Sequence, residues 1–402
     1  MEEATQALFA PEARRRLVLK PGKERVVANR HPWIFAGAIA RESGPDDAAI
    51  ADLVDGRGVR MASGLYSRHS QIRLRALTFD DADVTTGMIR DRIAAAAARR
   101  RTILDESTNA ARIVHAEGDD VSGLVIDRYD DLVVVEIANN GLERIRPLII
   151  DAVRAELGPR MIHFKNDLSA RKLERLPAAP ESIGRGEPVA EIRESGLRFH
   201  VDPTEGQKTG FFLDQRENRR LARDLASERR VLNLFSYSGA FGVYAAAGGA
   251  SHVENVDVSA KAVELAKVNH DLNGVAGRAS FLVADAFGHV RERAAHGAQF
   301  DLIVCDPPAF AKSRADVERA ARGYKDINLY ALRLLAPGGM LMTFSCSGHM
   351  PLDLFQKIVF AAALDAGRRV SFIRRLTAGP DHPISLYCPE GEYLKGFLLA
   401  AL

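Results

Sequence analysis

Phe300-Asp301-Leu302-Ile303-Val304-Cys305-Asp306-Pro307-Pro308 and Gly339-Met340-Leu341-Met342-Thr343-Phe344-Ser345-Cys346-Ser347 are two apolar runs of the same construction. Each has the length and bounded apolar character of a strand buried in a parallel sheet, and each ends in turn chemistry. Neighbouring strands lie roughly 4.8 Å apart, so if these two are adjacent their carboxyl ends deliver side chains to one crevice. An acid, Asp306, and a thiol, Cys346, would then face the same bound molecule.

The pattern on either side supports that reading. From about Arg216 onward it is strictly βαβ, with strands expected at Val231–Phe235, His252–Val256, Ser280–Val283, Asp301–Cys305, Met340–Phe344, Val370–Ile373 and Leu394–Leu399. Helices fill the gaps, notably Ala260–Leu272 and Gly323–Leu335, the latter stopped by Pro337-Gly338-Gly339. Such alternation implies a parallel sheet with helices on both faces, whose ligands bind outside the strand carboxyl ends.

Upstream, Leu17 to Thr78 holds short β-like runs, with Asp55-Gly56 reading as a hairpin turn because that turn needs positive φ. Asp80, Asp81 and Asp83 punctuate its end. An alanine-rich helix follows from Met88 to about Leu104, with Arg90, Arg92, Arg99, Arg100 and Arg101 expected on a solvated face. Arg112 to Val201 then mixes strand and helix. The expected fold class is α/β, with three domains: a small β unit over 15–85, an α+β domain over 86–195 and the βαβ domain over 196–402.

The chain has 402 residues, 47% of them hydrophobic, enough for several packed cores. Three cysteines without CxxC spacing argue against a disulfide framework and a structural zinc site, and His349, His270 and His382 have no ligand spacing, so no metal is expected. No apolar run approaches the roughly 20 residues of a membrane span, and Met1-Glu2-Glu3 opens with acid; a cytoplasmic location is expected, with no membrane partner. The net charge of +2 divides unevenly, since residues 14–75 carry +7 and the remainder −5. This asymmetry suggests a polyanion at the N-terminal part, although a solvated basic face would read the same way.

The first βαβ turn, Phe235-Ser236-Tyr237-Ser238-Gly239-Ala240-Phe241-Gly242, uses small residues that let backbone N–H groups approach a carboxylate or phosphate. By itself it reads equally as a packing turn. The second strand is followed by Asp257, placed to accept both hydroxyls of a ribose. The third leads to Asp285-Ala286-Phe287, where the acid could take an adenine amino group and Phe287 could lie against the ring. Without a phosphate-binding glycine set or a P-loop lysine, S-adenosylmethionine fits this series better than a dinucleotide or ATP.

With a methyl donor in place, the acid and thiol acquire a chemistry. Cytosine C5 is a poor nucleophile until a thiolate adds to C6 and makes the ring an enamine. A carboxyl group at N3 assists that addition. Cys346 is the nucleophile candidate and Asp306 the ring-activating acid; Cys305, on the opposite face, is expected in the core. Cys388, in Tyr387-Cys388-Pro389-Glu390-Gly391, is read as an incidental turn residue.

Asn29-Arg30-His31-Pro32-Trp33-Ile34-Phe35, Gly210-Phe211-Phe212-Leu213-Asp214-Gln215-Arg216, Asn233-Leu234-Phe235-Ser236-Tyr237-Ser238-Gly239, Asp306-Pro307-Pro308-Ala309-Phe310, Gly323-Tyr324-Lys325-Asp326-Ile327-Asn328 and Phe344-Ser345-Cys346-Ser347-Gly348 together resemble the large-subunit ribosomal RNA cytosine-C5 methyltransferase I family. The resemblance covers about Leu17 to Leu402. It implies an N-terminal PUA domain, a central domain and a Rossmann-like methyltransferase domain using S-adenosylmethionine, with large-subunit ribosomal RNA as partner; a homodimer is possible. It assigns Cys346 as nucleophile, and Ala309 stands where many other RNA cytosine-C5 methyltransferases carry a second cysteine, so a one-cysteine mechanism follows. Gln207, Phe211, Asp214 and Arg216 would fold over the donor or target base. Expected cofactor contacts are Phe235, Ser236, Ser238, Gly239, Asp257, Asp285, Ala286, Phe287, Asp306 and Gln215. Expected substrate contacts are Arg30, Trp33, Lys208, Phe211, Arg216, Pro307, Pro308, Phe310 and Lys312. Two rivals stand beside this: an RNA methyltransferase acting on an exocyclic amine, since Asp-Pro-Pro-Ala-Phe resembles a motif that grips an amino nitrogen, and an RNA-binding assembly factor that binds the donor without turnover.

Overall fold

The computed structural model describes residues 2–79 and 81–402; Met1 and Asp80 lie outside them. Two compact units emerge, one formed by residues 1–192, 201–211 and 380–391, the other by 193–200, 212–379 and 392–402.

The first unit holds two sheets. A six-stranded sheet runs in the order Trp33–Phe35, Ile72–Thr78, Arg60–Tyr66, Ile50–Val54, Arg15–Leu19, Ile39–Ser43. Its pairings are antiparallel except that of Arg15–Leu19 with Ile50–Val54. The expected hairpin joins Ile50–Val54 to Arg60–Tyr66, but the left-handed residue is Gly58, at φ 91°, and not Gly56. The reason is the Asp55 carboxylate, which accepts from the N–H groups of Arg57 and Val59 at 2.9 Å and makes a wider turn.

A second, five-stranded sheet runs Glu181–Gly184, Met161–Phe164, Leu132–Ile137, Leu124–Tyr129, Ala110–His115. It packs on the helices Thr86–Arg100 and Arg146–Leu157 through Ile89, Ile93, Ala96, Ile149 and Val153. Alanine allows the first helix to lie close, and Thr85 caps it by accepting from Met88 N–H. The solvated arginine face expected there holds for Arg99 and Arg101, which are exposed, and is corrected for Arg92 and Arg100. Arg100 is only 2% exposed and grips both carboxylate oxygens of Asp119, while Arg92 donates to the carbonyls of Leu77 and Asp120. A guanidinium can be buried in a helix when a carboxylate and carbonyls meet its donors.

The second unit is a seven-stranded sheet with helices on both faces. Its strands are β1 (Arg230–Leu234), β2 (His252–Asp257), β3 (Ala279–Val283), β4 (Phe300–Cys305), β5 (Leu335–Ser345), β6 (Val370–Leu376) and β7 (Lys395–Ala401), in the order β3-β2-β1-β4-β5-β7-β6. Its helices are α1 (Arg216–Leu225), α2 (Ala240–Ala247), α3 (Ala260–Leu272), α4 (Ala286–Ala295), α5 (Val317–Arg333) and α6 (Leu352–Asp365). One core packs under α5 and α6 through Ile303, Tyr324, Ile327, Leu341, Phe355 and Leu399; another packs under α1 and α2 through Ala222, Val231, Ala245, Val304 and Met342.

The expected neighbours are neighbours: β4 pairs with β5 in parallel, Cys305 opposite Thr343. Two details depart from the sequence reading. The sheet is not wholly parallel, because β7 inserts between β5 and β6 and runs antiparallel to both. α5 also begins six residues before Gly323, since Arg314–Asp316 form a 3₁₀ turn that leads into it. Chain order reverses around β1, which has β2 on one side and β4 on the other, and a crevice for ligands opens at such a switch point.

Candidate active site

Backbone conformation sets the first wall of this crevice. Phe235, Tyr237 and Gly239 have φ values of 57°, 44° and 69°, so the turn leaving β1 alternates into the left-handed region three times. Side chains rarely adopt that geometry, and its concentration in five residues marks a loop shaped for something other than packing. Gly239 has a second reason to be glycine, because a Cβ there would lie 2.7 Å from the Cβ of Ala266 on α3. The turn delivers the N-terminus of α2 to the crevice, where a carboxylate is favoured. Within it, Ser236 Oγ is buried and has no hydrogen-bond partner. A buried hydroxyl without a partner is costly, and a ligand atom that accepts or donates there would remove the cost.

The two strand-end acids form the next wall. Asp257 accepts from Tyr237 N–H through Oδ2 and from Ser259 N–H through Oδ1, both at 2.9 Å. These bonds fix its plane while leaving lone pairs outward, as a ribose diol requires. Asp285 accepts from Gly288 N–H at 2.8 Å and so caps α4. Beside the acids stand Val258 and Val283, 73% and 57% exposed. The sequence reading passed over both, and their signal was available: a large aliphatic residue next to a strand-end acid offers a base an apolar face. Phe235, Phe287 and Phe310 lie with ring centroids 6.0–6.5 Å apart, and Phe310 packs on Tyr324 at 4.7 Å. Orphan hydroxyl, helix N-terminus, diol acceptor and apolar face together fit the carboxylate, ribose and adenine of S-adenosylmethionine.

The acid and thiol meet at the ends of β4 and β5. Asp306 is half-buried, with Oδ2 accepting from Gln215 Nε2 at 2.9 Å. Asn218 donates to Gln215 Oε1 at 2.6 Å and to the Thr377 carbonyl at 3.1 Å, extending the chain of bonds behind the acid. Cys346 is half-buried and its Sγ lies 3.4 Å from the Pro307 carbonyl. The two flanking serines point inward: Ser345 Oγ and Ser347 Oγ each lie 3.0 Å from the Tyr324 hydroxyl, and Ser347 Oγ accepts from Ala311 N–H. Strand alternation therefore turns Cys346 the other way. Cys305 is fully buried and burial pushes its thiol far up, as expected for a core cysteine.

Other expected site residues are distributed unevenly. Pro308 and Lys312 are exposed, whereas Pro307, whose carbonyl touches the thiol, is buried. Arg216 is fully buried, with Nε 3.3 Å from Glu194, which also holds Arg219. Phe211 is 1% exposed and belongs with Lys208 to the first unit; Thr209 between them is tied to Tyr129 and Asp127. Arg30 is exposed and Trp33 donates Nε1–H to Glu117 at 2.9 Å, also within the first unit. The basic excess of that unit is less free than the count implies: Arg14, Arg15, Arg60, Arg68, Arg73 and Arg75 all pair with carboxylates. Cys388 follows a turn, as expected, and is buried, its thiol pushed up to about 12 by burial and nearby carboxylates. It lies with His31 and Glu390 in a group whose donor atoms are within 4.8 Å of one another. A metal there would need His31 Nε2, yet Trp33 N–H donates to Nδ1, so Nε2 carries the proton and faces Glu390 at 3.2 Å. Among the described residues, no helix is long and apolar enough to cross a membrane.

Comparison with known proteins agrees with this geometry. The profile of a family described as S-adenosylmethionine-dependent methyltransferase matches residues 169–388, and that of a PUA-like domain matches residues 17–79. Among solved structures, the protein SMU.776, crystallised with SAH, superposes with a TM-score of 0.83 over 96% of this chain and 99% of its own, at 21% identity. Ribosomal RNA large subunit methyltransferase I of Pseudoalteromonas atlantica is 42% identical over 96% of this chain and 99% of its own, and that of Tolumonas auensis is 44% identical over 96% and 98%. The fold, the donor pocket and this end-to-end likeness agree that the chain belongs to the ribosomal RNA large subunit methyltransferase I family, whose members use S-adenosylmethionine.

Proposed function

We propose that this chain methylates C5 of a cytosine in large-subunit ribosomal RNA, with Cys346 as the nucleophile. The observation that carries the reading is the placement of a half-buried thiol and a positioned carboxyl group at the ends of two adjacent parallel strands, beside the donor pocket. S-adenosylmethionine supplies an electrophilic methyl group. The Cys346 thiolate forms a bond to C6, and the ring's electron pair moves toward N3, where Asp306 shares a proton with the ring. C5 then takes the methyl group, the C5 proton leaves to a base, and the C6–S bond breaks to restore the aromatic ring and the thiolate. Ala309 leaves Cys346 to serve both addition and release.

The target base must leave its stack to reach this crevice, with Phe310 and Pro308 available to receive it. The PUA-like domain would hold the RNA through phosphate contacts, Arg30 among them, so affinity should fall as salt rises. The domain division at about 85 and 195, a cytoplasmic location and a homodimer belong to the same proposal. β6 is the edge of its sheet and exposes Phe372 and Ile373, a surface that a second copy could cover.

RNA carrying 5-fluorocytosine at the target position tests the chemistry, because fluorine at C5 blocks the proton loss that precedes release. A covalent protein–RNA adduct that needs S-adenosylmethionine and disappears in Cys346→Ala is expected. Equal methyl transfer by Cys346→Ala would instead favour attack by an exocyclic amine.

A further inference from the structure

Ser345-Cys346-Ser347 is held by two groups, and only one of them is neutral. The Tyr324 hydroxyl meets both serine hydroxyls at 3.0 Å. The second group is Lys395, the first residue of β7, which lies opposite Ser345 in the antiparallel register of β5 and β7. Its side chain is 4% exposed and its Nζ donates to the Ser347 carbonyl at 3.0 Å. Its ammonium group therefore sits on the backbone of the residue that follows Cys346. No carboxylate among the described residues lies within ion-pair distance of Nζ. A buried ammonium with one carbonyl for three N–H donors is an expensive arrangement unless an anion shares its surroundings.

The ionisable groups around this turn are few. Lys395 and the exposed Glu392 come from β7 and the residues before it; Tyr324 comes from α5; Asp306 stands next to Pro307, whose carbonyl touches Sγ; Lys312 and His349 are exposed on loops. Lys395 is the buried cation among them. Burial lowers the ammonium's readiness to hold its proton, and negative charge at Glu392 and Cys346 opposes that effect.

We propose that Lys395 is the positioning cation of Cys346: anchored on the Ser347 carbonyl, its ammonium group stabilises the thiolate and fixes the turn that presents it. No bond to Lys395 forms or breaks; the proton lost by the thiol leaves to solvent, and the charge left on sulfur is balanced by the ammonium. The inference deepens the reading of Cys346 as nucleophile and rests on it.

The test is the pH dependence of Cys346 alkylation by iodoacetamide, read by mass spectrometry of the Cys346 peptide in the full-length protein, wild type and Lys395→Met, with melting temperature as a control for folding. The expected result is a midpoint at least about one pH unit higher in the variant, equivalent to roughly tenfold slower alkylation at neutral pH. Superimposable profiles would overturn the proposal. Should Lys395→Met not fold, ¹⁵N-resolved titration of Lys395 Nζ in wild type and Cys346→Ala reads the same coupling from the other side: the midpoint must fall when the thiol is removed, and an unchanged midpoint overturns the proposal. Because alkylation needs neither RNA nor methyl donor, a shifted profile in a protein that forms no RNA adduct would sink the cytosine reading while leaving the Lys395–Cys346 coupling in place.

Discussion

Gln215 donates its side-chain amide to Oδ2 of Asp306 at 2.9 Å, and the Gln215 carbonyl is held in turn by Asn218 at 2.6 Å. Asp306 is therefore oriented by a residue that the sequence placed with the cofactor, and by one it did not single out. Supports of this kind preserve geometry more than affinity. Asn218→Ala should lower kcat about 10- to 100-fold with a much smaller change in the KM for S-adenosylmethionine, measured by steady-state methyl transfer. A change confined to KM would assign the relay to cofactor binding instead.

Asp257 and Asp285 predict separable effects. Removing a charged hydrogen-bonding partner costs about 1.5–3 kcal/mol, so Asp257→Ala should weaken donor binding by more than tenfold in calorimetric titration. Asp285→Ala should weaken it too, and should also cost about 1 kcal/mol of stability because its carboxylate caps α4.

Glu194 is fully buried between Arg216 and Arg219, and it also accepts from the Tyr244 hydroxyl. Deleting one partner of such a group strands the others in a medium that cannot solvate them. Glu194→Ala should destabilise the protein by roughly 3–5 kcal/mol in urea unfolding, whereas an exposed pair such as Lys357 with Asp353 should cost no more than about 1 kcal/mol.

Glu136 has its carboxyl pushed up to about 7, chiefly by burial, with Asp127 and Asp167 adding to the effect and Arg112 and Lys165 opposing it. A carboxyl raised in the folded state contributes stability below its unfolded value near 4.5, and that contribution is lost as pH rises through the folded value. Between about pH 4.5 and 7 wild type should therefore lose stability relative to Glu136→Gln, by roughly 1–3 kcal/mol in denaturant titrations at pH 5 and pH 8. Parallel stability curves would show that Glu136 titrates as an ordinary surface acid.

Much of this was legible because apolar runs and strand-end residues are local signals. That Phe300–Cys305 and Leu335–Ser345 are strands followed from their bounded apolar runs, while their adjacency was a condition that the pairing meets, and the acids at the ends of β2 and β3 followed from strand ends alone. What escaped notice depends on partners distant in sequence. Nothing local says that Arg100 will meet Asp119 in a core, that β7 will enter the sheet antiparallel between β5 and β6, or that Lys395 will reach Ser347. The burial of Cys388 escaped notice for the same reason, since His31, near it in the fold, lies at the other end of the chain. The charge count failed differently, since a sum over residues 14–75 cannot tell an arginine paired with Asp46 or Glu42 from one free to meet phosphate.

The central claim is that Cys346 makes a carbon-methylated cytosine. Bisulfite sequencing of large-subunit ribosomal RNA, from cells lacking this gene and complemented with either wild type or Cys346→Ala, tests it most directly. One protected cytosine restored by wild type alone is the predicted result. No protected cytosine in either strain, with a methyl group still transferred to the RNA, would contradict the account and place the methyl group on an exocyclic amine.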